Sequence, residues 1–331
     1  MFSQFVSSTG PGVARAEREG GNWVVRRVSD LDVRCLTAAP AGERLFAGTQ
    51  GDGLWHSDDR GETWGRSGLD GWIVKSIATT PAAPDLVLAG MKPPHVFMSP
   101  DRGATWRELE SFQNVRGHKL WRQPAERPST PYVQALVVAP SDPDLIVAGM
   151  EAGAVVRSTD GGMTWSNHLS GACRDCHSLT FHATDASRVY QGGGGALRPG
   201  VALSKDGGAT WTRPSEGIDR KYGWGVAADP EDANVCYVSL SPGAMKAHSN
   251  GKAEAYVFRT TDGQLWEKLA GGLPQPIASM PYALLTDDRE AGHLYAGLAN
   301  GAVWFTEDRG ETWTKLGFEL PAIHRSLLAL R

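Results

Sequence analysis

The chain has 331 residues, 41% of them hydrophobic and 21% charged, with a formal net charge of −4. That length is ample for a large buried core. The mild negative balance excludes the broad attraction to nucleic acid or membrane that a basic surface supplies, and no apolar run approaches the ~20 residues of a membrane helix. The 40 glycines exceed the usual ~7% and favour many tight turns over a helical protein.

The first predicted strands lie within residues 1–30. Phe5 to Val13 follows the same pattern as Phe46 to Leu54, and Glu19-Gly20-Gly21-Asn22-Trp23 is a reduced copy of a turn motif that recurs downstream. Apolar strands then begin near Val33, Val74, Val133, Cys176, Gly223, Pro281 and His324. The unit is clearest in the third. One strand runs from Val133 to Pro140, a second ends in Ala148-Gly149, a third enters the turn motif, and a Trp opens a fourth.

The motif, Ser/Thr-x-Asp-x-Gly-x-Thr-Trp, stands at Ser57–Trp64, Ser99–Trp106, Ser158–Trp165, Ser204–Trp211 and Thr306–Trp313, with a copy one residue short at Thr260–Trp266. A period of roughly 40–50 residues marks a propeller, solenoid or array, and four short strands per unit favour propeller blades. The expected fold is all-β: a single domain over 1–331, a seven-bladed β-propeller with four-stranded blades. Seven strand starts face six good motifs. Residues 1–30 therefore supply three outer strands and residues 322–331 the inner strand of a closing blade, which leaves no exposed edge.

Within the motif an Asp is expected to accept bonds from backbone N–H groups one or two residues on. The Gly supplies positive φ, and the Trp packs the turn against the next layer. These residues resemble the Asp-box (BNR) repeat, found in sialidase-like and other glycosyl-hydrolase-like propellers. Sialidases, xyloglucanases, sortilin-type receptors and photosystem assembly factors carry it, and the likeness extends to WD40/YVTN-type propellers. The resemblance implies that the box is a structural turn at the blade periphery, so its aspartates are not catalytic candidates. It does not extend to the sialidase active site: the Arg-Ile-Pro signature of that family is absent, and the column described next holds only two arginines.

Aligning the seven inner strands gives one column near the channel mouth: Arg34, Lys75, Gln134, His177, Trp224, Tyr282 and Arg325. Three permanent cations facing one channel repel one another unless water or an anion relieves them. Arg offers a planar fork and Lys a point charge to such an anion, while Trp224 and Tyr282 offer faces on which a sugar can stack. Two long insertions, Glu110–Thr130 and Ser239–Glu254, are expected on the same face. The first brings His118, Trp121 and Arg122 as further ligand-binding candidates; the second carries Lys246 and His248. Proton transfer falls to His177, Tyr282 and Glu151, the titratable groups available on that face.

The four cysteines are too few for a disulfide scaffold, and Met1 to Val6 shows no secretory pattern, so the expected location is cytoplasmic. Cys173-Arg174-Asp175-Cys176-His177 fits the C-x-x-C-H haem-attachment pattern, but without the exported context that attachment needs. No cofactor is called for. The alternative is a divalent metal held by Cys173, Cys176, His177 and a loop His such as His118.

The reading that follows is a propeller binding a small anionic or sugar-like ligand at the channel mouth and acting on it as a hydrolase or lyase. One alternative is a non-catalytic scaffold or assembly factor that offers its loop face to a protein partner. The other is a metal-dependent enzyme built on His177 and nearby Cys or His. The enzyme reading requires a cup in which His177, Tyr282 and at least two column cations converge.

Overall fold

The computed structural model describes residues 2–123, 129–195 and 198–331. Met1, part of the Glu110–Thr130 insertion and two residues of the 192–200 loop lie outside that range. The fold is all-β and propeller-like, built from antiparallel sheets of mostly four short strands, with one helical turn at Ala244–Ala247 and two 3₁₀ segments. The first strands, Gln4–Ser8, Val13–Glu19 and Asn22–Ser29, share a sheet with the last, Leu327–Leu330, which pairs antiparallel with Gln4–Ser8.

Among the described residues the apolar core divides into seven clusters, most of them between sheets that follow one another in the chain. Val6 and Val13 meet Val33 and Leu45; Val147 meets Cys176 and Val189; Tyr237 meets Leu284 and Leu294. One cluster brings Phe5 and Ala14 against Tyr295 and Val303, so the last complete sheet packs on the first strands of the chain. Burial at roughly 25 cal/mol per Å² makes these interfaces the main source of cohesion.

The boxes close through their own side chains. Asp59 Oδ1 accepts from the backbone N–H groups of Glu62 (3.0 Å) and Thr63 (2.9 Å), while Oδ2 accepts from Thr63 Oγ1 (2.5 Å). Ser57 Oγ donates to Asp59 (2.7 Å) and accepts from Gly61 N (2.8 Å). The aspartate thus reaches amides three and four residues on, not one or two, because Arg60 (φ 60°) and Gly61 (φ 84°) are successive left-handed residues that curl the chain back over it. The same bonds recur at Asp101, Asp160, Asp206 and Asp308. In the short box Asp262 accepts from Gln264 and Leu265 instead, two and three residues on. Bonds from the Thr side chain, the Thr amide and the Ser hydroxyl hold Asp101 and Asp160 down at about 2.

Candidate functional site

Six of the seven inner strands break their register next to the column residue. Val33 pairs with Thr49 but Cys35 with Gly48, leaving Arg34 as the extra residue of a β-bulge. The same slip falls at Lys75, Gln134, His177 and Tyr282, and over Trp224–Gly225. Bulges re-aim side chains and gather beside functional sites. Arg325 has no bulge but a backbone φ of 77°, costly for a non-glycine residue. At the Lys75 and Gln134 bulges the partner strand carries a glycine where a side chain would clash. A Cβ on Gly149 would lie 2.2 Å from Cys176 Sγ, and one on Gly90 2.6 Å from Val133 of the next inner strand.

The seven column residues line one cavity of about 180 Å³. His177 forms part of its wall. A carbonyl only accepts, so His177 Nδ1–H donates to Gly223 O (2.6 Å). The ring stacks on Trp224 with centroids 4.4 Å apart and planes 19° apart. Nε2 lies 3.5 Å from Asp175 Oδ2 and has no hydrogen-bond partner. Glu151, at the end of strand Asp142–Glu151, approaches the same point. Its Oε1 accepts from Gln123 Nε2 (2.6 Å), while Oε2 is buried without a partner. Donor atoms of Glu151, Asp175 and His177 all lie within 4.8 Å of one another.

The cations are unequally neutralised. Arg34 pairs with Asp32 at 2.8 Å, yet its Nε–H is buried and unpartnered. Among the described residues, Lys75 and Arg325 have no carboxylate within ion-pair distance. Lys75 Nζ stands 4.1 Å from the Tyr132 ring centre, and the Arg325 guanidinium 5.0 Å from that of Trp224. Burial, then the charges of Arg325, Arg34 and Lys92, brings Lys75 down to about 7. Gln134 Nε2 donates to His177 O at 3.4 Å, leaving its Oε1 without a partner.

On the aromatic side His248 is wedged between two tyrosines. Nδ1 is 2.6 Å from the Tyr282 hydroxyl and Nε2 is 2.9 Å from that of Tyr222. Burial, with Arg325 and His177 adding to it, depresses His248 to about 4. Burial likewise raises Tyr282, so its hydroxyl keeps its proton.

The site therefore gathers His177, Tyr282, Arg34, Lys75, Gln134, Trp224 and Arg325, with Glu151 beside His177. It does not gather the loop candidates. Trp121 is buried against Phe112, Val115 and Met150. His118 Nδ1 turns to Val115 O, and Arg122 donates to Lys119 O and Trp121 O. The described part of this loop packs Phe112, Val115 and Trp121 into the core beneath it. Cys173 and Cys176 are fully buried, and desolvation pushes Cys173 to about 11 and Cys176 higher still. His248, Tyr222, Tyr132 and Asp175 are functional neighbours absent from the sequence candidates. The one sequence signal for His248 is its place on the long Ser239–Glu254 insertion.

A BNR/Asp-box repeat model matches residues 156–167. A xyloglucanase from Paenibacillus sp is 25% identical over 295 residues, 77% of this chain and 27% of that protein. The chain therefore spans under a third of the length of the xyloglucanases it matches. Among solved structures, the GH74 enzyme of Niastella koreensis superposes with a TM-score of 0.64 at 16% identity, over 86% of this chain and 45% of that one. A putative 6-phosphogluconolactonase from Bacteroides uniformis gives 0.64 at 13% identity over 98% of both chains. These structures share the fold.

Proposed function

We propose that this Asp-box repeat protein, glycosyl-hydrolase-like in its relatives, is a seven-bladed propeller closed by the pairing of its terminal strands, and that it binds and hydrolyses a small anionic sugar at its channel mouth. The observation that carries the reading is the convergence of the whole inner-strand column on one cavity, with two cations unpaired and one donor and two acceptors of the column buried without partners. An anion with several hydroxyls supplies what those groups lack: negative charge for Lys75 and Arg325, an acceptor for Arg34 Nε, and donors for Gln134 Oε1 and His177 Nε2. Tyr282 provides an apolar wall for a sugar ring beside Trp224, whose own ring is covered by His177 and Arg325.

The hydrolase class comes from the xyloglucanase relatives; the anionic ligand comes from this chain's own cations. A cavity of about 180 Å³ suits one sugar unit better than a polymer. His177, Glu151 and Tyr282 are assigned to proton transfer. Glu151 and Asp175 stand within 4.8 Å, closer than the roughly 6.5–9.5 Å of a water-inserting carboxylate pair. The reading is therefore of His-assisted hydrolysis, not a two-carboxylate inverting mechanism.

Calorimetric titration with hexuronic acids, sugar phosphates and neutral xylo-oligosaccharides tests this. One anionic class is expected to bind with one-to-one stoichiometry, and Arg325→Ala should weaken it at least tenfold. Equal binding of the neutral oligosaccharides, or binding indifferent to Arg325, would reject the reading.

A further inference from the structure

Three side chains beside the cavity are each tied on the far side and bare, or nearly so, on the near side. His177 Nδ1–H is committed to Gly223 O (2.6 Å). Glu151 Oε1 accepts from Gln123 Nε2 (2.6 Å). Asp175 Oδ1 accepts from Ala152 N (3.1 Å). The opposite atoms converge: Nε2 of His177 and an oxygen from each carboxylate lie within 4.8 Å, with His177 Nε2 and Asp175 Oδ2 at 3.5 Å. His177 and Glu151 are only 3% and 8% exposed, and among the described residues His177 Nε2 and Glu151 Oε2 have no hydrogen-bond partner. Buried polar atoms are costly to leave unsatisfied.

We infer that Glu151, Asp175 and His177 bind one divalent transition-metal ion. A cation satisfies imidazole and carboxylate lone pairs together, and two carboxylates with a neutral imidazole balance its charge. Far-side bonds that fix the tautomer and carboxylate orientation are what metal ligands ordinarily carry. One nitrogen and two oxygens suit a zinc- or manganese-class ion over calcium, which takes six to eight oxygens. Three protein ligands leave a coordination position free, as catalytic sites do. Gly194 reserves room for Asp175: a Cβ there would fall 1.9 Å from Asp175 Oδ2. His177 lines the mouth cavity while Asp175 lines the adjoining groove with Tyr222, so the ion sits where the two meet. The inference goes beyond the sugar-binding reading and does not need it; with an ion bound, His177 and Glu151 would serve as its ligands in place of the hydroxyl-accepting and proton-transfer roles given them above, and Tyr282 would keep its own.

The test is calorimetric titration of the chelator-stripped full chain with Zn²⁺ and Mn²⁺, repeated on Glu151→Gln and His177→Gln. The expected result is one ion per chain, with each variant about 10–100-fold weaker. Cobalt(II) should give visible absorption bands that are lost in Glu151→Gln. Asp175→Asn replaces either variant if that variant fails to fold by circular dichroism. Absence of one-to-one binding by the parent chain, or binding unchanged in the folded variants, overturns the site. Water bridging the three groups would show as the first of these outcomes. Metal binding without sugar binding would sink the functional reading alone; sugar binding that persists in chelator, with no metal uptake, would sink this one alone.

Discussion

Lys75 Nζ stands 4.1 Å from the centre of the Tyr132 ring and, among the described residues, has no carboxylate in reach. With its ammonium brought down to about 7 by burial and neighbouring cations, Lys75 is a charge the protein holds only conditionally. Anion affinity should therefore fall as pH rises through about 7, the protonated fraction dropping about tenfold between pH 6 and pH 8. Between about 7 and the unfolded Lys value near 10.4 the unfolded chain binds the extra proton, so stability rises with pH over that window. Lys75→Met should raise the Tm more at pH 6 than at pH 9 and remove the pH dependence of anion binding. An equal Tm gain at both pH values would contradict the assignment.

Acid should act early on this fold. Burial places His168, His248 and His324 each near 4. The folded state keeps them neutral while the unfolded chain takes up protons below about 6.5, so stability falls as pH drops from 6.5 toward 4. The box aspartates, held near 2 at Asp101 and Asp160, then lose their contribution as pH falls from about 4 toward 2. Melting curves at half-unit steps from pH 8 to 3 should show a decline that steepens below about 6.5. A flat Tm down to pH 5 would argue against the buried neutral histidines.

Ser57 is 2% exposed and its hydroxyl both accepts from Gly61 N and donates to Asp59. Ser57→Ala leaves that buried amide without an acceptor and should cost about 1–3 kcal/mol in denaturant unfolding. Replacing Glu62, whose side chain is 69% exposed, should change stability by less than about 0.5 kcal/mol. Similar losses from both substitutions would mean that the box bonds add little.

Gly149→Ala drives a Cβ to 2.2 Å from Cys176 Sγ, next to the His177 bulge. It should destabilise by about 1–3 kcal/mol and weaken ligand binding by displacing His177. Gly243→Ala, where the backbone is extended (φ −179°) and nothing lies within 4 Å, is the neutral control. If Gly149→Ala binds ligand as the parent does, the bulge is not what aims His177.

The sequence by itself determined the repeating turn and the inner-strand column. The box is legible because its bonds close within eight residues, Ser57 to Trp64, and so depend only on local chemistry. The column is legible because equivalent places in successive strands must face one axis, and Arg34 through Arg325 do line one cavity. Only the tertiary structure decided which polar groups meet. His248 reaches Tyr222 and Tyr282, 26 and 34 residues away, from an insertion whose path no periodicity encodes. Glu151 meets His177 because two neighbouring sheets pack against each other around Cys176. Trp121 reads as a surface aromatic in sequence but is drawn under by the core beneath its loop. The unpaired state of Lys75 is likewise a property of burial, since charge depends on the dielectric and neighbours that folding alone supplies.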